Sequence, residues 1–79
     1  MHSFVTMKLS ELQIGQQAII SGFEKSEIAI KLMEMGLIPG EKIHIEKFAP
    51  LGDPISIFVA GYSLSLRIDE ARHIDVNVL

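Results

Sequence analysis

No stretch of this chain runs long enough without a glycine or proline to hold a strand, a crossover helix and a returning parallel strand, a unit of about 30 residues or more. Six glycines and three prolines in 79 residues fall as punctuation between short periodic segments. Short strands joined by tight turns are what such spacing allows. A domain of this length buries only about 60% of the surface its unfolded chain exposes, so there is room for one small core. The absence of cysteine rules out a disulfide, a Cys-based zinc site, an iron–sulfur cluster and a thiol nucleophile. Stability must come from packing. The 48% hydrophobic content beside 22% charged residues argues for a folded chain rather than a disordered one.

Read along the chain, Gln17 to Phe23 carries Ile19, Ile20 and Phe23 and predicts a first strand. Ser26 is placed to cap a helix running to about Met35, with Gly36 as its left-handed closing residue. Ile28, Leu32 and Met35 fall on one side of that helix, while Glu27, Lys31 and Glu34 gather opposite. Ile30 sits at the edge of the polar arc, either core margin or an outward apolar spot. Pro39 and Gly40 suit the two central positions of a type II turn. From Glu41 the chain alternates, with Ile43 and Ile45 inward and Lys42, His44 and Glu46 outward. Phe48 breaks that parity, which predicts a bulge near Glu46 and Lys47.

Pro50 and Pro54 bracket a rigid loop that no strand or helix tolerates. Ile55 to Ala60 reads as a nearly all-apolar strand, followed by a hairpin with Gly61 leading a type II′ turn. Leu64, Leu66 and Ile68 alternate, Asp69 begins a single helical turn, and Ile74, Val76 and Val78 close the sheet. The sum is a mainly β domain: a small, bent, SH3-like barrel of about five strands with one α-helix inserted after the first strand. An open α+β sheet is the competitor. The domain is expected over residues 8–79, with residues 1–7 as an N-terminal extension.

Seven basic against ten acidic residues give a formal charge of −3, with Arg67 and Arg72 the only arginines. Tracking phosphates needs a cationic stripe that is missing here, so nucleic acid and an anionic membrane surface are poor partners. The apolar runs are far shorter than the roughly 20 residues that span a bilayer, and the first six residues lack the pattern of a signal peptide. The expected compartment is the cytosol.

Certain residues carry more than a fold class. Leu32, then Met35-Gly36-Leu37-Ile38-Pro39-Gly40, then Ala49-Pro50-Leu51-Gly52-Asp53-Pro54, then Leu64, Leu66, Arg67, Glu70, Ala71, Ile74 and Val76 resemble the FeoA family, ferrous iron transport protein A, across essentially the whole domain. The resemblance implies an SH3-like barrel in the bacterial cytosol beside FeoB, a membrane ferrous-iron transporter with a cytosolic GTPase region. The same fold serves as the C-terminal domain of iron-dependent repressors, which makes a transition-metal-responsive regulatory domain the alternative reading. The family offers no agreed catalytic set to carry over.

Candidate chemistry is correspondingly thin. His44 and Glu46 lie two apart on one strand face, and His73 stands near Asp75; each pair can present an imidazole with a carboxylate, yet two ligands do not make a closed site. They are metal candidates whose ordinary reading is a solvated surface pair, with any divalent transition metal adventitious and no cofactor expected. No serine has a companion histidine brought near by the sequence, and no phosphate-binding Gly-x-x-x-x-Gly-Lys-[Ser/Thr] run is present, so an enzyme is not expected. Arg67 and Arg72 read as partners of nearby carboxylates rather than as arginine fingers.

What remains is a recognition surface. Pro50, Leu51, Gly52, Asp53 and Pro54 hold a leucine between rigidifying prolines, so it can meet a partner at little ordering cost. Tyr62 offers apolar area and a hydroxyl. Either these two face a partner or Leu51 caps the barrel bottom with Tyr62 folded over it. Phe58, on the outer parity of its strand, needs cover, and Met33, Met35, Leu37 and Ile38 either supply it or form an adaptable contact themselves. The expected partner is the GTPase region of the transporter, met through Met35, Leu37, Tyr62 and the loop; self-association stays open.

Overall fold

The structure is a computed structural model and describes residues 5–24 and 26–79. Six strands form one antiparallel sheet in the order β1-β6-β2-β3-β4-β5: β1 Val5–Lys8, β2 Gln17–Phe23, β3 Lys42–Phe48, β4 Ile55–Val59, β5 Tyr62–Leu66 and β6 Ile74–Val78. Helix α1, Ser26–Glu34, joins β2 to β3, and the single turn α2, Ile68–Ala71, joins β5 to β6. No helix among the described residues is long and apolar enough to cross a membrane.

β2, the strand expected first, has the expected bounds but stands second in the chain. Val5–Lys8 pairs with β6 from Val5 opposite Val78 to Lys8 opposite Asp75, so residues 5–7 belong to the sheet rather than to the expected extension, whose other residues, 1–4, lie outside the described ones. That added strand makes six instead of five and puts α1 after the second. A 3₁₀ turn, Leu9–Glu11, follows it and drives Leu9 and Leu12 into the core.

Period-two alternation places Ile43 and Ile45 of β3, Ile55, Ile57 and Val59 of β4, and Ile74 and Val76 of β6 in that core. In β3 the register slips between Ile45 and Lys47, the predicted bulge, and this returns Phe48 to pack against the core. A second slip, between Ile20 and Gly22 of β2, adds to the bending of the sheet.

Two turns differ from expectation. β4 and β5 close through Ala60 and Gly61, with Val59 opposite Tyr62; both loop residues have positive φ, 53° and 88°, which is the type I′ hairpin rather than II′. The loop sits one residue earlier than the sequence suggested, and Ala60 takes a conformation disfavoured for a residue with a Cβ. α2 begins at Ile68 rather than after Asp69: Glu70 accepts the Arg67 N–H at 3.1 Å, and Asp53 accepts the Ile68 N–H at 3.1 Å. Ser26, expected as the cap, is instead the first residue of α1, and the residue before it lies outside the described ones.

Candidate partner-binding surface

The loop between β3 and β4 is held from within. The Ala49 N–H donates to Pro54 C=O at 3.0 Å and the Gly52 N–H to Ala49 C=O at 2.7 Å, with a cis peptide between Asp53 and Pro54. Asp53 then ties the loop to the residue two past the end of β5. A loop fixed at both ends presents its tip without further ordering, and the tip is Leu51, 97% exposed. This settles the choice left open by the sequence: Leu51 does not cap the barrel. The two prolines of the loop line a hollow of about 330 Å³ together with Lys47, Phe48, Ala49, Ser56 and Ser65.

Tyr62 does something other than cover Leu51. Its hydroxyl donates to the carbonyl of Met35, one of the C-terminal carbonyls a helix leaves without an internal partner. A side chain at Gly36 would run into that hydroxyl, and Gly36 has φ of +98°, so glycine is required there twice over. Half-exposed Tyr62 therefore locks α1 to the hairpin.

Leu37 is a correction. It is fully buried, as the third residue past a helix closed by two bonds, Gly36 N–H to Met33 C=O at 3.0 Å and Leu37 N–H to Leu32 C=O at 3.1 Å. This pairing brings the apolar side chain after the glycine onto the one that starts the last turn, here Leu32. Leu37 can therefore touch no partner, and Met35 also packs against the core. The exposed apolar residues of this corner are Ile30, Met33 and Ile38; the sequence marks Ile30 as core margin or an outward spot, and Met33 and Ile38 as cover for Phe58 or an adaptable contact. A leucine directly after a helix-closing glycine was the available signal that Leu37 turns inward.

Phe58 is not covered by α1. It lies opposite His44 across β3 and β4, and their rings stack with centroids 5.5 Å apart and planes 25° from parallel. His44 is thus a packing partner. A shallow cleft of about 540 Å³ beside the stack is lined by Gln17, Glu41, Lys42, Ala60 and Gly61. Glu46 accepts a hydrogen bond from the Ser56 hydroxyl at 3.3 Å.

Near His73 the structure assembles a clamp that the sequence did not suggest. Lys8 reaches Asp75 at 2.6 Å and Glu24 at 2.9 Å, joining β1, the end of β2 and β6. His73 Nδ1 stands 3.5 Å from Glu24, buried and without a hydrogen-bond partner among the described residues. An ammonium therefore sits between the carboxylates. Hydrogen bonds to Asp75 and then Glu24 hold the Lys8 pKa above its ordinary value, and the Lys8 bond holds that of Glu24 below the usual carboxylate range. No group of three or more His, Cys, Asp or Glu among the described residues is arranged to hold a metal ion. Arg72 pairs with Asp69 at 3.1 Å, and Lys31 with Glu70 at 3.3 Å, tying α1 to α2.

A bent antiparallel sheet with one nine-residue helix and a bare leucine at a loop tip defines a small SH3-like protein. The chain matches the FeoA domain over residues 7–78, and it belongs to the FeoA family. It is 38% identical over 74 residues to the Fe(2+) transport protein A/Fe(2+) transporter FeoB fusion protein of Porphyromonas gingivalis, an alignment covering 92% of this chain and 9% of that protein. The chain thus spans about a tenth of the length of this curated relative. Among solved structures, the FeoA-like protein of Clostridium acetobutylicum superposes with TM-score 0.87 at 41% identity, covering 100% of this chain and 91% of that one. FeoA of Stenotrophomonas maltophilia, described as a prokaryotic SH3 domain protein and solved with zinc, gives 0.76 at 31%, covering 89% and 88%. A manganese-dependent transcriptional repressor shares the fold alone, at TM-score 0.84 and 13% identity over 94% of this chain and 41% of that one.

Proposed function

We propose that this chain is a non-enzymatic cytosolic module of ferrous iron uptake that docks on the GTPase-bearing region of a FeoB-type transporter and modulates it. The observation that carries the reading is Leu51, an aliphatic side chain almost wholly in water on a loop clamped at both ends. Such a side chain gains by burial against a partner and loses little freedom in doing so. The relative in which the matching segment is fused to a FeoB transporter supports the choice of partner. The reading requires no resident cofactor and no catalytic step.

The test is an NMR titration of labelled protein with the cytosolic GTPase region of the same organism's transporter, with GDP and with a non-hydrolysable GTP analogue. Shifts centred on residues 50–54, lost in a folded Leu51→Asp variant, are the expected result. Undiminished binding by that variant would remove the loop as the contact. A parallel titration with iron(II), manganese(II) and zinc(II) gives no stoichiometric binding on this reading; binding abolished by His44→Ala or His73→Ala would favour a metal-responsive domain instead.

A further inference from the structure

β5 ends the sheet: it pairs with β4 on one side, and among the described residues nothing pairs with it on the other. Along an antiparallel pair, residues that exchange both backbone hydrogen bonds with their neighbour alternate with residues whose N–H and C=O point away. In a hairpin with a two-residue loop the closing pair, here Val59 and Tyr62, is bonded. Leu64 and Leu66 then bond to β4 as well, and Ser63 and Ser65 turn their backbone groups outward. Exposed edges are usually blunted by a charge, a proline or a bulge. β5 carries none of these: its five residues are uncharged and its register is unbroken.

What adjoins the edge is chemically specific. Ser65 lines the hollow whose apolar wall is Phe48, Ala49, Pro50 and Pro54. Lys47, which also lines it, and Arg67, next after β5, form no ion pair among the described residues. Of the nearby carboxylates, Asp69 is ion-paired with Arg72, while Asp53 and Glu46 accept from the Ile68 N–H and the Ser56 hydroxyl. Lys47 and Arg67 are thus cations beside the edge with no carboxylate partner among the described residues.

We propose that β5 accepts an extended segment of the partner as a seventh strand, with an aliphatic side chain in the hollow and a carboxylate facing Lys47 or Arg67. Backbone pairing supplies the affinity in this mode and the side-chain hollow supplies the selection. The inference rests on the docking reading above and names its mechanism. In the fused relative the two parts share one chain, and tethering of that kind makes a contact of a few hydrogen bonds sufficient.

Amide hydrogen exchange of the full chain, alone at several concentrations and with the transporter's GTPase region, tests it. Ser63 and Ser65 are expected to slow at least tenfold on binding while β4 amides stay unchanged. Ser65→Pro removes an outward N–H and should weaken binding at least tenfold; where that variant does not fold, exchange at Ser63 and Ser65 in the unaltered protein decides alone. Lys47→Glu with Arg67→Glu should slow association and flatten its salt dependence. Binding that leaves Ser63 and Ser65 unprotected overturns strand addition but keeps the loop contact. Protection that rises with the chain's own concentration makes a second copy the occupant and overturns the choice of partner. No binding at all overturns this inference together with the docking reading.

Discussion

Residues 35–40 and residues 49–54 are two corners made from the same materials, a leucine, a glycine and proline, and they put their leucines in opposite places. Leu37 is wholly buried and Leu51 is 97% exposed. The difference lies in the order of the residues. At the first corner the glycine precedes the leucine, and the positive φ of Gly36 folds the chain back so that Leu37 lands on Leu32. At the second, Pro50 precedes the leucine and Gly52 follows it, so Leu51 occupies the tip of a turn closed beneath it by the Gly52 to Ala49 bond. Composition alone makes both corners look like contact surfaces; sequence order decides which one is part of the core.

The largest effect should come from breaking the buried corner. Leu37→Ala removes a fully enclosed side chain and is expected to lower stability by about 3 kcal/mol, the middle of the range for such truncations. Urea unfolding measures it, and a loss under about 1 kcal/mol would mean that this corner is as free as the other.

Next in size is the lock on that corner. Tyr62→Phe keeps the ring and removes the hydroxyl that serves the Met35 carbonyl, for an expected loss of about 1 kcal/mol. Chemical shifts should move at Met35 and Gly36 and remain still across residues 49–54. Movement at both would show that the corners are coupled through the hairpin.

How much of this was legible beforehand follows from the same physics. The turn at Pro39 and Gly40 and the bulge beside Glu46 were readable because each depends on a few adjacent residues: Pro39 fixes φ, Gly40 takes +98°, and the Ile45 to Phe48 parity break needs an extra residue. β1 was not readable, since its four residues gain their place only by pairing with β6, some seventy residues away. The Lys8 clamp was hidden for the same reason. The rigid loop was legible from its prolines, whereas the hydroxyl partner of Tyr62 was not, because it is set by tertiary approach, and Leu37 was misassigned although the glycine before it carries the signal that turns it inward.

The clamp gives a smaller effect that belongs to neither corner. Because Glu24 has its pKa lowered mainly by the Lys8 hydrogen bond, its contribution is complete above the ordinary carboxylate range and is lost as pH falls through the lowered value. Lys8, with its pKa raised chiefly by Asp75, contributes fully below the ordinary lysine range and loses that contribution only as pH climbs through the raised value. Stability should therefore be flat through neutral pH and decline on acidification, and Glu24→Gln should flatten that decline. Urea midpoints measured from neutral pH down through the carboxylate range check this; an unchanged acid limb in the variant would assign the decline to other carboxylates.

The smallest stability effect should come from the exposed corner, and its smallness is informative. Leu51 touches almost nothing within the chain, so Leu51→Asp should alter unfolding stability by no more than about 0.5 kcal/mol. The same change puts a charge where a partner would bury a methyl-bearing side chain, and a charge buried without a counter-ion is far more costly than a lost contact. Binding to the transporter's GTPase region should thus weaken at least tenfold while the fold is untouched. A residue whose replacement is nearly silent for folding and strong for binding is what separates this corner from the one at Leu37. If Leu51→Asp instead destabilised the domain as much as Leu37→Ala, the loop tip would be packed in solution and the contrast between the corners would disappear.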